Sequence, residues 1–252
     1  MNESLHLKFW RHSVAGISGP YLSEEEIGLI KEYPPAGIIL FARNVEDARQ
    51  LRKLTSELSG INPDLLIMAD HEGGMISVLA DGAGVPPSQF AMGRVESGEL
   101  RREVYRETAS RMRCLGVDTL LGPLADINSN PENPVIGTRA FPGSAGEVGR
   151  LVAEEVEEFR RAGLLTCLKH FPGHGGTGTD SHLALPEAPG LSTENGRIAA
   201  IPFRNGIEAG ADMVMTGHLE VGESGIPSSL DRPVIDYLRS ALGFEGVVIT
   251  DD

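Results

Sequence analysis

The 252-residue chain carries 22 lysines and arginines against 36 aspartates and glutamates, a formal net charge of −14. A surface of that sign repels phosphate backbones and anionic headgroups, which argues against nucleic acid or a membrane surface as partner. No run reaches the roughly eighteen apolar residues of a membrane span, and the opening MNESLHLKFWRHSVAGISGP lacks the apolar stretch of a secretory signal.

In chain order, SVAGISG (13–19) predicts a strand, and SEEEIGLIKEY after it predicts a helix. Ser23 is placed to cap that helix, and the acids behind it favour the positive end of its dipole. AGIILFA (36–42) and LLIMAD (65–70) predict the second and third strands, separated by the helical pattern VEDARQLRKLTSELSG. GELRREVYRETASRMRCLG predicts a helix before the fourth strand, VDTLLGPLAD (117–126). AGEVGRLVAEEVEEFRRAG then leads to a fifth strand, LLTCLKH (164–170). One helical pattern, TENGRIAAIPFRNGIEAG, precedes ADMVMTG (211–217), and DRPVIDYLRSALG precedes GVVITDD (246–252). Cys114 and Cys167 lie in apolar-rich elements without metal or framework spacing, so both read as buried free thiols of a reducing compartment.

Near-continuous apolar strands alternating with amphipathic helices imply parallel strands buried on both faces. An open doubly wound sheet and a barrel both satisfy this. No glycine-rich dinucleotide fingerprint follows the first strand, which disfavours the former. Polar residues collect where strands end: Asp70, Asp126, Lys169 with His170, His218 and Asp251. Barrel enzymes place their chemistry at that end. The expected fold is a TIM-type (β/α)8 barrel, one domain over residues 1–252, truncated after the seventh strand.

The segment LKHFPGHGGTGTDSHLALP (168–186) concentrates ionisable groups among glycines. His170, His174, Asp180 and His182 are competent metal ligands, but glycines interrupt the spacing that a regular metal motif needs. Asp180 and His182, two apart in an extended stretch, can instead pair so that the carboxylate orients the imidazole for proton transfer. The intervening glycines and His174 read as a hinge that lets this pair move over a substrate. A surface histidine beside a capped turn would look the same. Asp251 ends an apolar strand at the expected barrel mouth, as a second candidate for chemistry, a helix cap or half of a metal-binding type of carboxylate pair with Asp252. Asp70 is followed by a turn closed by Gly73 and Gly74. Arg139 lies in a long insertion, where an arginine more often faces solvent than a ligand. His12 and His218 read as structural singletons.

Together GIILFARN, ADHEGG, NPENPVIGTRAF, KHFPGHGGTGTDSHLALP, GADMVMTGH and SSLDRPVIDYLRSALGFEGVVITDD resemble the N-terminal barrel of glycoside hydrolase family 3. The DSH loop is similar to that of its bacterial β-N-acetylglucosaminidases. The resemblance implies a retaining glycosidase acting on a small glycan, with Asp251 as nucleophile, His182 as acid/base and Asp180 as its dyad partner. It implies that Asp70, Arg139, Lys169 and His170 hold the sugar hydroxyls, that no metal or organic cofactor takes part, and that cytoplasmic cell-wall recycling is the setting. Met75 and Val78 stand where the family pattern has arginines, so a hexosaminide and a plain glucoside both remain open. Phosphorolysis is the nearest alternative reaction, because a histidine acid does not repel an incoming phosphate. A non-catalytic sugar-binding barrel fragment is the alternative outside enzymes.

Overall fold

The computed structural model describes residues 5–178 and 185–251. Seven strands form its main sheet: β1 (Val14–Gly16), β2 (Gly37–Leu40), β3 (Leu66–Ala69), β4 (Thr119–Leu120), β5 (Leu165–Phe171), β6 (Met213–Thr216) and β7 (Val247–Thr250). They lie side by side in sequence order, and every neighbouring pair is parallel. The principal helices between them are α1 (Glu24–Glu32), α2 (Ala48–Ile61), α3 (Gly98–Cys114), α4 (Ala145–Arg161), α5 (Ile201–Glu208) and α6 (Arg232–Ser240). This is the alternation of a TIM-like α/β barrel through its seventh strand.

Alternation along each strand explains why these runs are apolar throughout. On one side Met68, Leu121, Cys167, Met213 and Met215 pack together with Ile39, Leu66 and Ile249. On the other, Ile38, Leu40, Ile67, Leu168 and Val214 join the helices in the larger core. Successive strand residues point to opposite faces, and here both faces are covered. Helix α4 supplies a matching stripe, with Val148, Leu151, Val152, Val156 and Phe159 all buried. Its start is set by a capping box between Ser144 and Glu147, and α1 uses the same device with Ser23 and Glu26.

Three expectations are revised. The helix expected over 193–210 is two helices, Glu194–Ala199 and α5, because Pro202 begins a new first turn and has no N–H for the older one. The fourth strand is paired at Thr119 and Leu120, then continues irregularly through Pro123 to a single bridge between Leu124 and Lys169. Cys114 is exposed, whereas Cys167 is buried. Cys114 stands two residues beyond buried Met112 on α3, which rotates it to the far side of that helix. An additional helix covers Leu5–Arg11. Among the described residues no helix is long and apolar enough to cross a membrane.

Phe203 shows how the helical layer holds the end of β5. It is fully buried on α5 and meets Phe171 edge to face, with ring centroids 5.1 Å apart. Phe203→Ala should lower the unfolding free energy by about 3–5 kcal/mol, measured by urea denaturation.

Candidate active site

The chain leaves β3 at Asp70 and turns directly into a small hairpin, His71–Gly73 against Ile76–Ser77. Gly73 and Gly74 have φ of 97° and 59°, and a Cβ on Gly73 would lie 2.2 Å from the Pro87 carbonyl oxygen. Only glycine fits that turn. Asp70 and Glu72 are two residues apart in extended backbone and therefore share a side, while His71 turns the other way. Burial lowers the pKa of His71 to about 4, so its ring is neutral near pH 7.

Lys169, near the end of β5, reaches across to this hairpin. Its Nζ donates to Asp70 Oδ1 at 2.5 Å and to Glu72 Oε1 at 2.6 Å. Arg139 grips the same Glu72 with both arms of its fork, Nε to Oε2 at 2.9 Å and Nη2 to Oε1 at 2.8 Å. Two cations thus balance two anions. The Lys169 and Glu72 side chains are 2% and 1% exposed, and Asp70, at 24%, is the member that opens to solvent. Burial alone would raise the Glu72 pKa, but Lys169 and Arg139 prevail and bring it down to about 2. Burial alone would lower that of Lys169, and the Asp70 and Glu72 carboxylates raise it instead. Arg139 is 11% exposed at its side chain, so the solvent-facing reading of this loop arginine is overturned. A buried carboxylate 67 residues away in sequence claims it.

A second cluster is built on Asp126, which has no exposed surface. Its Oδ2 accepts from the backbone N–H of His170 at 3.1 Å and lies 2.8 Å from that residue's Nδ1. Its Oδ1 accepts from the His174 N–H at 2.6 Å. A carboxylate only accepts, so Nδ1 of His170 carries a proton; in the neutral ring Nε2 then offers a lone pair. The register between β5 and β6 shifts between Leu168 and Phe171. At that irregularity Lys169 turns to one cluster and His170 to the other.

Beyond His170 the segment is bound to the insertion that carries Arg139. Asn133 Nδ2 donates to the carbonyls of His174 and Thr177, at 2.8 and 3.0 Å. Asn130 Nδ2 adds a bond to Thr177 O at 3.1 Å. A Cβ on Gly175 would lie 1.9 Å from the Ile127 carbonyl oxygen, so this glycine serves close backbone approach. His174 is buried, its Nδ1 lies 2.7 Å from Thr177 Oγ1, and burial pulls its pKa down. The hinge expected at His174 is therefore not there: residues up to Thr177 are held by side-chain bonds. Asp180 and His182 lie outside the described residues.

Asp251 follows the last residue of β7 and is half-buried. Its N–H donates to Thr216 O at 2.9 Å, and its carbonyl oxygen lies 3.0 Å from His218 Nε2. Asp70, Lys169, His170 and Asp251 thus all stand at the same, C-terminal, end of parallel strands. Met75 is 75% exposed at the hairpin, and Val78 packs against the core with its N–H on Asp70 O. Glu72 and the organising role of Asp126 were missed from sequence. The i, i+2 spacing of Asp70 and Glu72 behind a strand was the available signal for the first; for the second, the sequence marked only the place of Asp126 at a strand end.

Fold and mouth together define an α/β barrel domain that presents carboxylate, ammonium and imidazole groups suited to a polyol. Residues 12–252 match the glycosyl hydrolase family 3 N terminal domain, and the chain belongs to that family. A beta-hexosaminidase of Pseudomonas aeruginosa is 30% identical over 239 residues, covering 94% of this chain and 71% of the relative. The structure of a glycoside hydrolase family 3 beta-N-acetylglucosaminidase from Paenibacillus sp. superimposes with a TM-score of 0.92 at 40% identity. That match takes in 99% of this chain and 49% of the Paenibacillus chain, so the present chain spans about half its length. NagZ from Neisseria gonorrhoeae, solved with N-trifluoroacetyl-D-glucosamine, has a TM-score of 0.86 at 31% identity, over 95% of this chain and 73% of its own.

Glu72→Gln would leave buried Lys169 and largely buried Arg139 short of one anion and should cost about 3–5 kcal/mol near pH 7. The folded-state pKa of Glu72 lies below its unfolded value, so the stability it contributes is complete above the ordinary carboxylate range. That contribution is lost as pH falls toward about 2. Urea titrations at several pH values should show the gap between wild type and variant closing over that window.

Proposed function

We propose that the chain is the catalytic barrel of a retaining β-N-acetylhexosaminidase that releases terminal β-linked N-acetylglucosamine from a small glycan. The observation that carries this reading is the Lys169 cluster, which holds Asp70 at the mouth on the strand-end face that also bears Asp251. Asp70 accepts from sugar hydroxyls, Lys169 and Arg139 keep it and Glu72 ionised and in place, and His170 Nε2 accepts from a further hydroxyl. The beta-hexosaminidase relatives support the choice of sugar.

In the first step an Asp251 carboxylate oxygen attacks the anomeric carbon while the glycosidic bond breaks. Imidazolium His182 gives its proton to the departing oxygen, and a glycosyl-aspartate forms through an oxocarbenium-like transition state. In the second step neutral His182 takes a proton from water, whose oxygen attacks the anomeric carbon and frees Asp251. Asp180 orients the imidazole and favours its charged form in the first step. Sequence supports this dyad, as both residues lie outside the described ones. A β-glucosidase is the second reading, favoured by Met75 and Val78, which offer no guanidinium to an acetamido sugar. The proposed setting is cytoplasmic turnover of cell-wall fragments, on the strength of the family resemblance.

Asp251→Ala should abolish hydrolysis of an aryl N-acetyl-β-glucosaminide and retain binding by calorimetry; undiminished turnover would remove Asp251 as nucleophile. His182→Ala should slow substrates with poor leaving groups by about 10²–10⁴-fold and activated aryl glycosides much less. Equal losses on both would reject the general-acid assignment. Comparing aryl glucosides, and adding phosphate, separates the second reading and phosphorolysis in the same assay.

A further inference from the structure

The ladder between β6 and β7 ends at Thr216 and Thr250, so Asp251 stands just past regular pairing. Its N–H keeps one bond to Thr216 O, and its carbonyl oxygen meets the His218 ring, Nε2 to O at 3.0 Å. The other ring nitrogen, Nδ1, lies 2.8 Å from Ser229 Oγ. A backbone carbonyl has no hydrogen to give, so Nε2 carries the proton. The neutral ring then has its lone pair on Nδ1, and the Ser229 hydroxyl donates to it. One imidazole therefore has both nitrogens occupied, with a direction imposed on each bond.

The connection after β6 is folded to deliver that hydroxyl. Ser228, fully buried, donates from Oγ to Gly217 O at 2.5 Å and from N–H to Leu219 O at 2.7 Å. The serine beside it is thereby brought to His218, eleven residues back along the chain. Residue 218 is thus a joint between the turn after β6 and the peptide that follows the Asp251 Cα. Neither partner is available to a surface histidine that merely fills space.

We propose that His218 is a positioning residue for Asp251. By holding the Asp251 carbonyl from the β6 side, it sets the angle at which the carboxylate leaves the strand end, and Ser229 keeps the imidazole in the tautomer that can do so. The inference rests on the reading of Asp251 as nucleophile. Attack on an anomeric carbon demands a narrow approach geometry, and a displacement of about 1 Å is worth on the order of 10²-fold in rate. A single hydrogen bond to the main chain of the attacking residue is well placed to exert that control.

Amide substitutions separate this role from simple packing. In His218→Asn the amide nitrogen sits near the Nδ1 position, so the Ser229 contact can survive while the reach to Asp251 O is lost. In His218→Gln the amide nitrogen sits near Nε2 and can donate to that carbonyl. With an aryl N-acetyl-β-glucosaminide, His218→Asn should lower kcat by about 10–10²-fold with KM within about twofold of wild type. His218→Gln should restore most of the loss. Asp251→Ala is assayed beside them. An inactive Asp251→Ala with His218→Asn at wild-type kcat overturns the positioning role alone; an active Asp251→Ala overturns the nucleophile reading instead. Nitrogen-15 spectra of the wild-type imidazole decide the point even where a variant does not fold. The tautomer protonated at Nε2 is expected, and the tautomer protonated at Nδ1 overturns the proposal.

Discussion

Lys169 is a buried ammonium, and the mouth of this barrel is arranged around satisfying it. An ion of that size is costly to remove from water unless opposite charge and hydrogen bonds replace the lost hydration. Asp70 and Glu72 provide both, at 2.5 and 2.6 Å. Glu72 is itself buried and is shared with Arg139, so the cluster closes with two positive and two negative groups. Three separated pieces of chain meet there: the hairpin after β3, the end of β5 and the insertion between β4 and α4.

That requirement propagates outward. The hairpin can place Glu72 only because Gly73 and Gly74 accept positive φ against the Pro87 and Ser88 backbone. Arg139 can reach Glu72 only if its insertion is anchored, and Asn130 and Asn133 tie that insertion to the segment after His170. Asp126 fastens the same segment from below through two backbone N–H groups and one imidazole. The chain that leads toward Asp180 and His182 is consequently held up to Thr177. The Lys169 cluster and the segment after His170 are thus parts of one hydrogen-bonded block.

Much of the fold was readable from local pattern. Because two-sided burial leaves an unbroken apolar stretch and the intervening helices carry ordinary caps, six of the seven strands fall inside the runs expected to form them; β5 extends one residue beyond, to Phe171. The misreadings have local causes too. Pro202 splits a continuous amphipathic pattern, and a two-residue step from Met112 turns Cys114 to solvent. The candidate site was legible as a set of strand-end residues, Asp70, Lys169, His170 and Asp251, since barrel topology converts strand ends into one face. It was not legible as a network. By position alone Arg139 read as a loop arginine, and only the resemblance assigned it to the sugar, while His218 read as a singleton, because the partners of both are far away in sequence.

By itself, then, the sequence determined the order of strands and helices, the face on which chemistry would gather, and the family to which the motifs belong. The first two follow from periodicity, capping and short-range spacing, which are written along the chain, and the third from the resemblance of its motifs. Only the tertiary structure decided which charges are paired. Whether Arg139 meets water or Glu72, and whether His218 is idle or holds the Asp251 carbonyl, turns on distances of about 3 Å between residues separated by 67 and 33 positions. Hydrogen bonds and buried ion pairs are short-ranged and directional, so they exist only after the barrel has brought distant strand ends together.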